Sequence, residues 1–363
     1  MRALRVVAPG PGVLPALRDA LAGGDALLVG SATDLPAEVD QRIALVVETS
    51  GSTGIPKRVA LSADAVLANA AASESALGGP GQWVLALPTH YIAGLNVLTR
   101  SIAAGTEPEV VGGEHFTASA FVAAAERLSI PDRFTSLVPA QLTTLLDDPA
   151  ATAALAGFGA VLVGGQATPA PLLARAAAAG VRVVRSYGSS ETSGGCVYDG
   201  IPIGQTAVRV VDGEVQLGGP SIAEGYLGDP DLTATRFVEE SGMRWFRTAD
   251  AGSYRDGTLR IEGRRDDVIV SGGVKVSLGA VERLLHENGF PDAVVVKGSD
   301  ERWGEIPIAF TAKEAGRDAE LAIAAIEATL GKAARPRMRY GSAIPHLPSG
   351  KPDRVSLQTI ANN

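Results

Sequence analysis

Cysteine is almost absent from this chain: Cys196 is the only one in 363 residues. It can close no internal disulfide and build no thiolate cluster, and the four histidines are scattered without ligand spacing, which argues against structural zinc. Long apolar runs are missing too. None reaches the roughly 18–20 residues that a bilayer-spanning helix needs. Residues 1–10 break at Pro9-Gly10 before the apolar core of a cleaved signal peptide could form. Positive charge is also in deficit, with 32 Lys and Arg against 40 Asp and Glu, a net charge of −8. A nucleic-acid surface needs concentrated Lys and Arg to meet phosphates. The expectation is a cytoplasmic protein, neither integral to a membrane nor bound to nucleic acid, in which any polyanion is a small molecule met by local groups.

What remains is a globular composition, 46% hydrophobic and 20% charged, and a length that suggests two domains. Short Val-, Leu- and Ile-rich runs at 43–47, 83–87, 160–163 and 181–184 alternate with Ala-rich helical stretches such as 118–128 and 171–179. This alternation predicts α/β layering around a substantial sheet. From about Val208 the texture changes: Asp212-Gly213 between β-forming runs predicts a hairpin within a β-rich module. Beyond the charged stretch 262–267 a small α+β unit follows, with a helix at 278–287 and strands at 293–297 and 306–311.

The strongest local signal is Glu48-Thr49-Ser50-Gly51-Ser52-Thr53-Gly54-Ile55-Pro56-Lys57, directly after the run at 43–47. Such a loop offers backbone N–H groups and hydroxyls at close range, and its Lys adds a point charge, which together make a phosphate cradle. A Walker loop is excluded because Pro56, not Gly, precedes Lys57. Residues 51–54 alone would read as a flexible turn; Thr49, Pro56 and Lys57 in this order favour the functional reading. A second loop, Ser186-Tyr187-Gly188-Ser189-Ser190-Glu191-Thr192, combines an aromatic ring able to stack on a base with a carboxylate able to hold Mg²⁺. A third group comprises Trp245 to Asp250, Gly263-Arg264-Arg265-Asp266-Asp267, and Gly350-Lys351. Asp250 could accept ribose hydroxyls, and Lys351 could reach developing negative charge. Taken singly, each of these is more readily a solvated surface charge.

In this order, across residues 46–354, the motifs resemble the adenylate-forming superfamily of acyl-CoA synthetases, peptide-synthetase adenylation domains and luciferases. The resemblance implies ATP, Mg²⁺ and coenzyme A. Thr49, Ser50, Gly51, Ser52, Thr53, Gly54 and Lys57 would wrap the β- and γ-phosphates. Glu191 would hold Mg²⁺ and Ser190, where many relatives have Thr, would contact the α-phosphate. Tyr187 and Gly188 would pack on adenine beside Gly164-Gly165-Gln166, and Asp250 and Arg264 would bind ribose. Lys351 would stabilise charge on the transferring groups. The implied architecture is a large N-terminal α/β domain with layered sheets and a β-rich module (1–265) plus a small mobile α+β domain (266–363). Asp266 is the implied hinge, and Gly272 and Gly273 line a pantetheine tunnel in the second orientation. Many relatives form homodimers, so a homodimer is expected.

Only residues 1–47 precede the first motif, a shorter leading region than most of the superfamily has. In this and in residues 87–96 the chain is similar to the short actinobacterial o-succinylbenzoate–CoA ligases of menaquinone biosynthesis. That substrate has two carboxylates, one of them activated. The resemblance places Arg100 on the other, with Tyr91, His90, Gly94 and Asn96 at the acyl pocket. Two other readings stand beside it: a ligase for another aryl or acyl acid, or a stand-alone adenylation enzyme loading a carrier protein. A third, a non-catalytic nucleotide-binding protein, is disfavoured because Lys57, Glu191, Asp250 and Lys351 are all retained.

Overall fold

A computed structural model describes the chain except residues 50–56, 114, 315, 342, 348, 349 and 363 and the side chain of residue 317. Two large sheets lie in the N-terminal part. The first orders its strands Gly225–Tyr226, Lys57–Ser62, Ile43–Thr49, Ala26–Val29, Arg2–Val7 and Glu38–Val39. The second runs Ile201–Pro202, Gly194–Tyr198, Val183–Ser189, Ala160–Val163, Arg133–Leu137, Gln82–Leu85 and Glu109–Val110, parallel from Val183–Ser189 to Glu109–Val110.

A parallel sheet is covered on both faces, so its strands are continuously apolar while successive side chains serve opposite layers. The strand Gln82–Leu85 illustrates this: Trp83 and Leu85 join one apolar cluster and Val84 joins another. The first cluster holds the helices Val13–Leu21, Ala63–Leu77 and Ile92–Ala103 between the two sheets, through residues such as Leu17, Val66 and Leu95. The second packs Ala118–Glu126, Pro139–Leu146, Pro149–Ala156 and Ala170–Ala178 on the outer face. The β-rich module is a separate antiparallel sheet, Ala207–Val211, Glu214–Gly218, Met243–Arg255 and Phe237–Glu240, with Thr258–Arg264 added on Met243–Arg255. Its first hairpin turns at Asp212-Gly213, both at positive φ (49° and 77°), the signature of the expected two-residue turn.

Residues 268–361 build their own sheet, Val274–Ser277, Val268–Ser271, Gly304–Phe310 and Val294–Asp300, with Arg337–Arg339 beside Gly304–Phe310. Their apolar side chains form two clusters that contain no residue from the N-terminal part. One is closed by the helices Leu278–Glu287 and Arg317–Leu330, the other by Arg354–Ala361, whose Leu357 is fully buried against Val294, Val296 and Phe310.

The expected helix at 278–287 matches Leu278–Glu287, and the expected run at 160–163 is the strand Ala160–Val163. The run at 181–184 is displaced. The strand is Val183–Ser189, because Val181 belongs to the turn that closes the preceding helix, its amide donating to Ala176 O at 3.0 Å.

Leu357→Ala should destabilise residues 268–361 by about 2–5 kcal/mol, the usual cost of emptying a buried leucine site. Chemical denaturation followed by hydrogen exchange of the Val294–Asp300 amides checks this.

Candidate active site

Two of the motifs begin at strand ends. Ile43–Thr49 and Lys57–Ser62 are antiparallel partners, with Thr49 opposite Lys57 and a hydrogen bond from Thr49 Oγ1 to Lys57 O at 3.4 Å. Thr49 and Lys57 thus close the end of this antiparallel pair. Ser50, Gly51, Ser52, Thr53 and Gly54 lie outside the described residues.

The second motif continues straight out of Val183–Ser189 into a 3₁₀ turn, Ser190–Thr192. Glycine is required here: Gly188 has φ +157°, and any Cβ on it would collide with the carbonyl of Gly194. Thr192 ties the turn, accepting from Ser189 N at 2.9 Å and donating to Gly194 O at 2.7 Å. Asn96 and Asn69 reach in from neighbouring helices to Ser193 O (2.8 Å) and Gly195 O (2.9 Å). Ser190 is buried at the start of the turn. Glu191 follows it and accepts a hydrogen bond from Tyr226 Oη at 2.8 Å. Burial and the neighbouring Glu191 charge push the Tyr226 phenol upward, so it stays a donor. Cys196, on the next strand, is no nucleophile: burial pushes its thiol up to about 12.

Tyr187 Oη donates to Asp250 Oδ2 at 2.6 Å. Burial raises the Asp250 carboxyl above the ordinary range, against the lowering pull of this hydrogen bond and of Arg264. Arg264 stands opposite Asp250 on the adjacent strand, its Nη1 3.6 Å from Asp250 Oδ1, while Nε and Nη2 grip Asp266 at 2.8 and 2.5 Å. The two residues expected at ribose therefore lie together, and the arginine is also bound to the expected hinge aspartate. Burial tends to raise Asp266, but the Arg264 hydrogen bonds outweigh it and hold the carboxyl low.

Lys351 arrives from the far end of the chain. A methyl placed on Gly165 would lie 3.4 Å from Lys351 Cε, and one on Gly350 would lie 2.7 Å from Val138 Cγ2, so the tip is seated against the Gly164-Gly165-Gln166 turn. Crowding by protein atoms lowers the ammonium pKa although the residue still meets solvent, and the Glu191 carboxylate opposes that effect. Gln166 has a buried Oε1 with no partner among the described residues. The lysine turn is closed by Leu347 N to Lys351 O at 2.8 Å. Behind it Asp353 caps the last helix, and Arg354 bonds to Val295 O (2.7 Å) and to both Glu282 oxygens (2.8 Å each).

The expected acyl-pocket residues follow along one helix. Tyr91 caps Ile92–Ala103, its ring 4.1 Å from that of His90, which is half-buried with its pKa lowered by burial and its Nδ1 unpartnered. Gly94 faces the carbonyl of Pro88 so closely that no side chain could fit. Arg100, two turns on, is only 6% exposed. It contacts the Trp83 ring at 4.9 Å and donates from Nη2 to Tyr198 Oη at 3.3 Å, and that hydroxyl pairs with Ser73 Oγ at 2.8 Å. Its Nε has no partner, and no carboxylate pairs with it among the described residues. Gly272 and Gly273 lie elsewhere, at the turn between Val268–Ser271 and Val274–Ser277. Trp303 lies against Gly272 and open space faces Gly273.

Tyr226, Val138, Asn69 and Tyr198 carry this geometry without any sequence signal that marks them. Each reads as an ordinary core or turn residue until the fold brings its partner close.

Tyr187→Phe removes the hydrogen bond that lowers the Asp250 pKa, so that carboxyl should titrate still higher. Carbon-detected NMR titration of Asp250 checks the sign. An ionised carboxylate held above its unfolded pKa costs stability at neutral pH, and that cost should disappear as pH falls through the folded value.

Comparison with known proteins fits this geometry. Residues 20–227 match the model of the AMP-binding enzyme family. The chain is 41% identical to a probable 2-succinylbenzoate–CoA ligase of Mycobacterium tuberculosis strain H37Rv, covering 98% of this chain and 97% of the relative. The 2-succinylbenzoate–CoA ligase of Salmonella typhimurium is 33% identical over 74% of this chain and 58% of its own length. Among solved structures, the amide bond synthetase McbA of Marinactinospora thermotolerans superposes with a TM-score of 0.77 at 27% identity, covering 99% of this chain and 80% of that one. The Bacillus subtilis MenE complex with the acyl-adenylate OSB-AMP shares the fold, with a TM-score of 0.72 over 95% of this chain and 80% of that one, at 24% identity. A family match over more than half the chain and a relative 41% identical over 98% of it make the chain a member of the AMP-binding enzymes.

Proposed function

We propose that this protein is an AMP-forming acid–thiol ligase that adenylates o-succinylbenzoate and transfers the acyl group to coenzyme A, giving o-succinylbenzoyl-CoA, AMP and pyrophosphate for menaquinone biosynthesis. The observation that carries the adenylation half is Lys351, seated at Gly165 within the influence of Glu191 although 160 residues separate it from that glutamate. The acid is indicated by the 41% identical relative and by Arg100, a buried guanidinium without a carboxylate partner among the described residues. A buried cation is costly unless an anion meets it. The second carboxylate of o-succinylbenzoate supplies that anion.

In this reading, residues 49–57 hold the β- and γ-phosphates, Tyr187 and the Gly164 turn cover adenine, and Asp250 receives the ribose hydroxyls with Arg264 beside it. The succinyl carboxylate oxygen attacks the α-phosphorus and the bond to pyrophosphate breaks. Lys351 meets the negative charge that builds on the transferring oxygens, an electrostatic role worth most in a site shielded from water. Glu191 fits a nucleotide-borne Mg²⁺: such an ion takes one or two carboxylates plus phosphate oxygens, and the described residues hold no cluster of three or more acidic, His or Cys ligands. Bound there, Mg²⁺ would neutralise phosphate charge. In the second half-reaction the thiol sulfur of coenzyme A attacks the acyl carbon and AMP departs. Residues 266–363 act as the mobile domain of this cycle, hinged at Asp266, and bring Gly272 and Gly273 to the thiol channel. No helix among the described residues is long and apolar enough to cross a membrane. The reading includes a cytoplasmic homodimer, which sedimentation would test.

The deciding experiment is ATP–pyrophosphate exchange with a panel of acids, followed by a coenzyme A thioester assay. Exchange should be supported by o-succinylbenzoate and not by benzoate or a fatty acid; the reverse would defeat the assignment, and acyl transfer only to a carrier protein would replace it. Lys351→Ala should depress adenylate formation by two orders of magnitude or more, about the loss seen on removing one preorganised charge-stabilising donor. Thioesterification of supplied acyl-adenylate should be largely spared. Equal loss in both half-reactions would contradict the role.

Arg100→Ala should raise the KM of the acid at least tenfold while the KM of ATP stays within twofold. A matched loss for both substrates would move Arg100 out of the acid site.

A further inference from the structure

We infer that Glu214 is a positioning residue for the nucleotide, acting through the backbone of Ala249 on the carboxylate of Asp250. Glu214 is a charged residue only 4% exposed, in the strand Glu214–Gly218 of the β-rich module. Its Oε2 pairs with Arg247, accepting from Nε at 2.9 Å, and lies 3.7 Å from Arg265 Nη1. Its Oε1 accepts the amide of Ala249 at 3.2 Å.

That amide is the key contact. Ala249 is buried and has φ +62°, a left-handed conformation that disfavours every residue except glycine. Three further bonds fix the same segment. Arg265 N donates to Ala249 O at 2.8 Å, Thr248 Oγ1 donates to Val215 O at 2.8 Å, and Asp250 N donates to Thr248 Oγ1 at 3.0 Å. The left-handed residue turns the strand Met243–Arg255 where its pairing with Glu214–Gly218 is irregular, and the next side chain is Asp250, aimed at Tyr187 and Arg264. Strain of this kind persists only where the surroundings over-determine it. Glu214 is the side chain that holds it, and through Arg265 it also touches the residue preceding Asp266.

The inference rests on Asp250 receiving ribose. Steady-state exchange kinetics with four full-length variants, E214A, A249G, E214A/A249G and D250A, test it, with thermal midpoints measured alongside. E214A should raise the KM of ATP about tenfold, the order of the Boltzmann penalty for a left-handed non-glycine residue released from its clamp. The KM of the acid should stay within twofold. A249G alone should leave both within twofold, and the double variant should recover most of the ATP affinity, because glycine occupies φ +62° without the clamp. An unchanged KM of ATP in E214A would overturn the inference. So would failure of A249G to restore it, because a glutamate that merely stabilises the fold would not be relieved by glycine at another position. Should E214A not fold, E214M fills the site but offers the Ala249 amide no acceptor. It should show the same rise, removed again by glycine at 249, and no rise would overturn the inference. D250A separates the two readings: if it leaves the KM of ATP unchanged, the ribose assignment fails; if it raises the KM while E214A does not, only the role of Glu214 fails.

Discussion

The proposed site depends on a cation that the C-terminal part of the chain sets against the Gly165 turn. Lysine carries its charge on a long flexible stem, so the cost of holding it in place must be met by the turn that carries it. Gly350, at φ +76°, lies so close to Val138 that a side chain would crowd it, and Gly165 leaves room for the Lys351 stem. The closure from Leu347 to Lys351, the Asp353 cap and the Arg354 bonds to Val295 and Glu282 tie the lysine turn to the last helix, which buried Leu357 anchors. In the proposed reading, without this chain of contacts the phosphate loop, Glu191 and Asp250 would bind a nucleotide with no group matched to its reacting phosphorus.

The same geometry links the nucleotide pocket to the proposed hinge. Tyr187, Asp250, Arg264 and Asp266 form one connected set, and Arg265 joins Ala249 and Glu214 to it. Arg264 and Asp266 are each more than 40% exposed, and exposed pairs are worth about 0–1 kcal/mol. A rotation at residue 266 that broke this pair would therefore meet little resistance. The Glu214 carboxylate, by contrast, is buried and the Asp250 side chain mostly so, and both would remain with the large sheet module. The distribution of burial thus fits the proposed hinge at Asp266.

Sequence alone reveals the parts whose chemistry is local. Gly188 and Gly165 are legible because backbone conformation and close approach demand glycine there. The Asp212-Gly213 turn and the helix Leu278–Glu287 are legible because their patterns contain their own boundaries. Partnerships made by the fold are not. Tyr226 reaches Glu191 across 35 positions and Tyr198 reaches Arg100 across 98, and neither tyrosine differs in sequence from a core aromatic. Glu214 was invisible for the same reason: a glutamate after a Gly in a hairpin reads as solvated until Arg247 and the Ala249 amide are seen around it.

In the proposed reading, Arg100 is a residue ordinary in sequence that the fold makes selective. On an isolated helix, a last-turn arginine would extend into water and favour the helix dipole. Here Trp83 covers its planar face and a tyrosine hydroxyl takes one donor, while Nε has no partner among the described residues. Unpaired buried donors lower the stability of the free protein, yet they are also the strongest source of discrimination, because an acid that lacks the second carboxylate leaves them unpaired while one that has it satisfies them. In the proposed reading the protein accepts a less stable free state so that the difference between a diacid and a simple aryl acid is felt as the difference between a paired and an unpaired guanidinium.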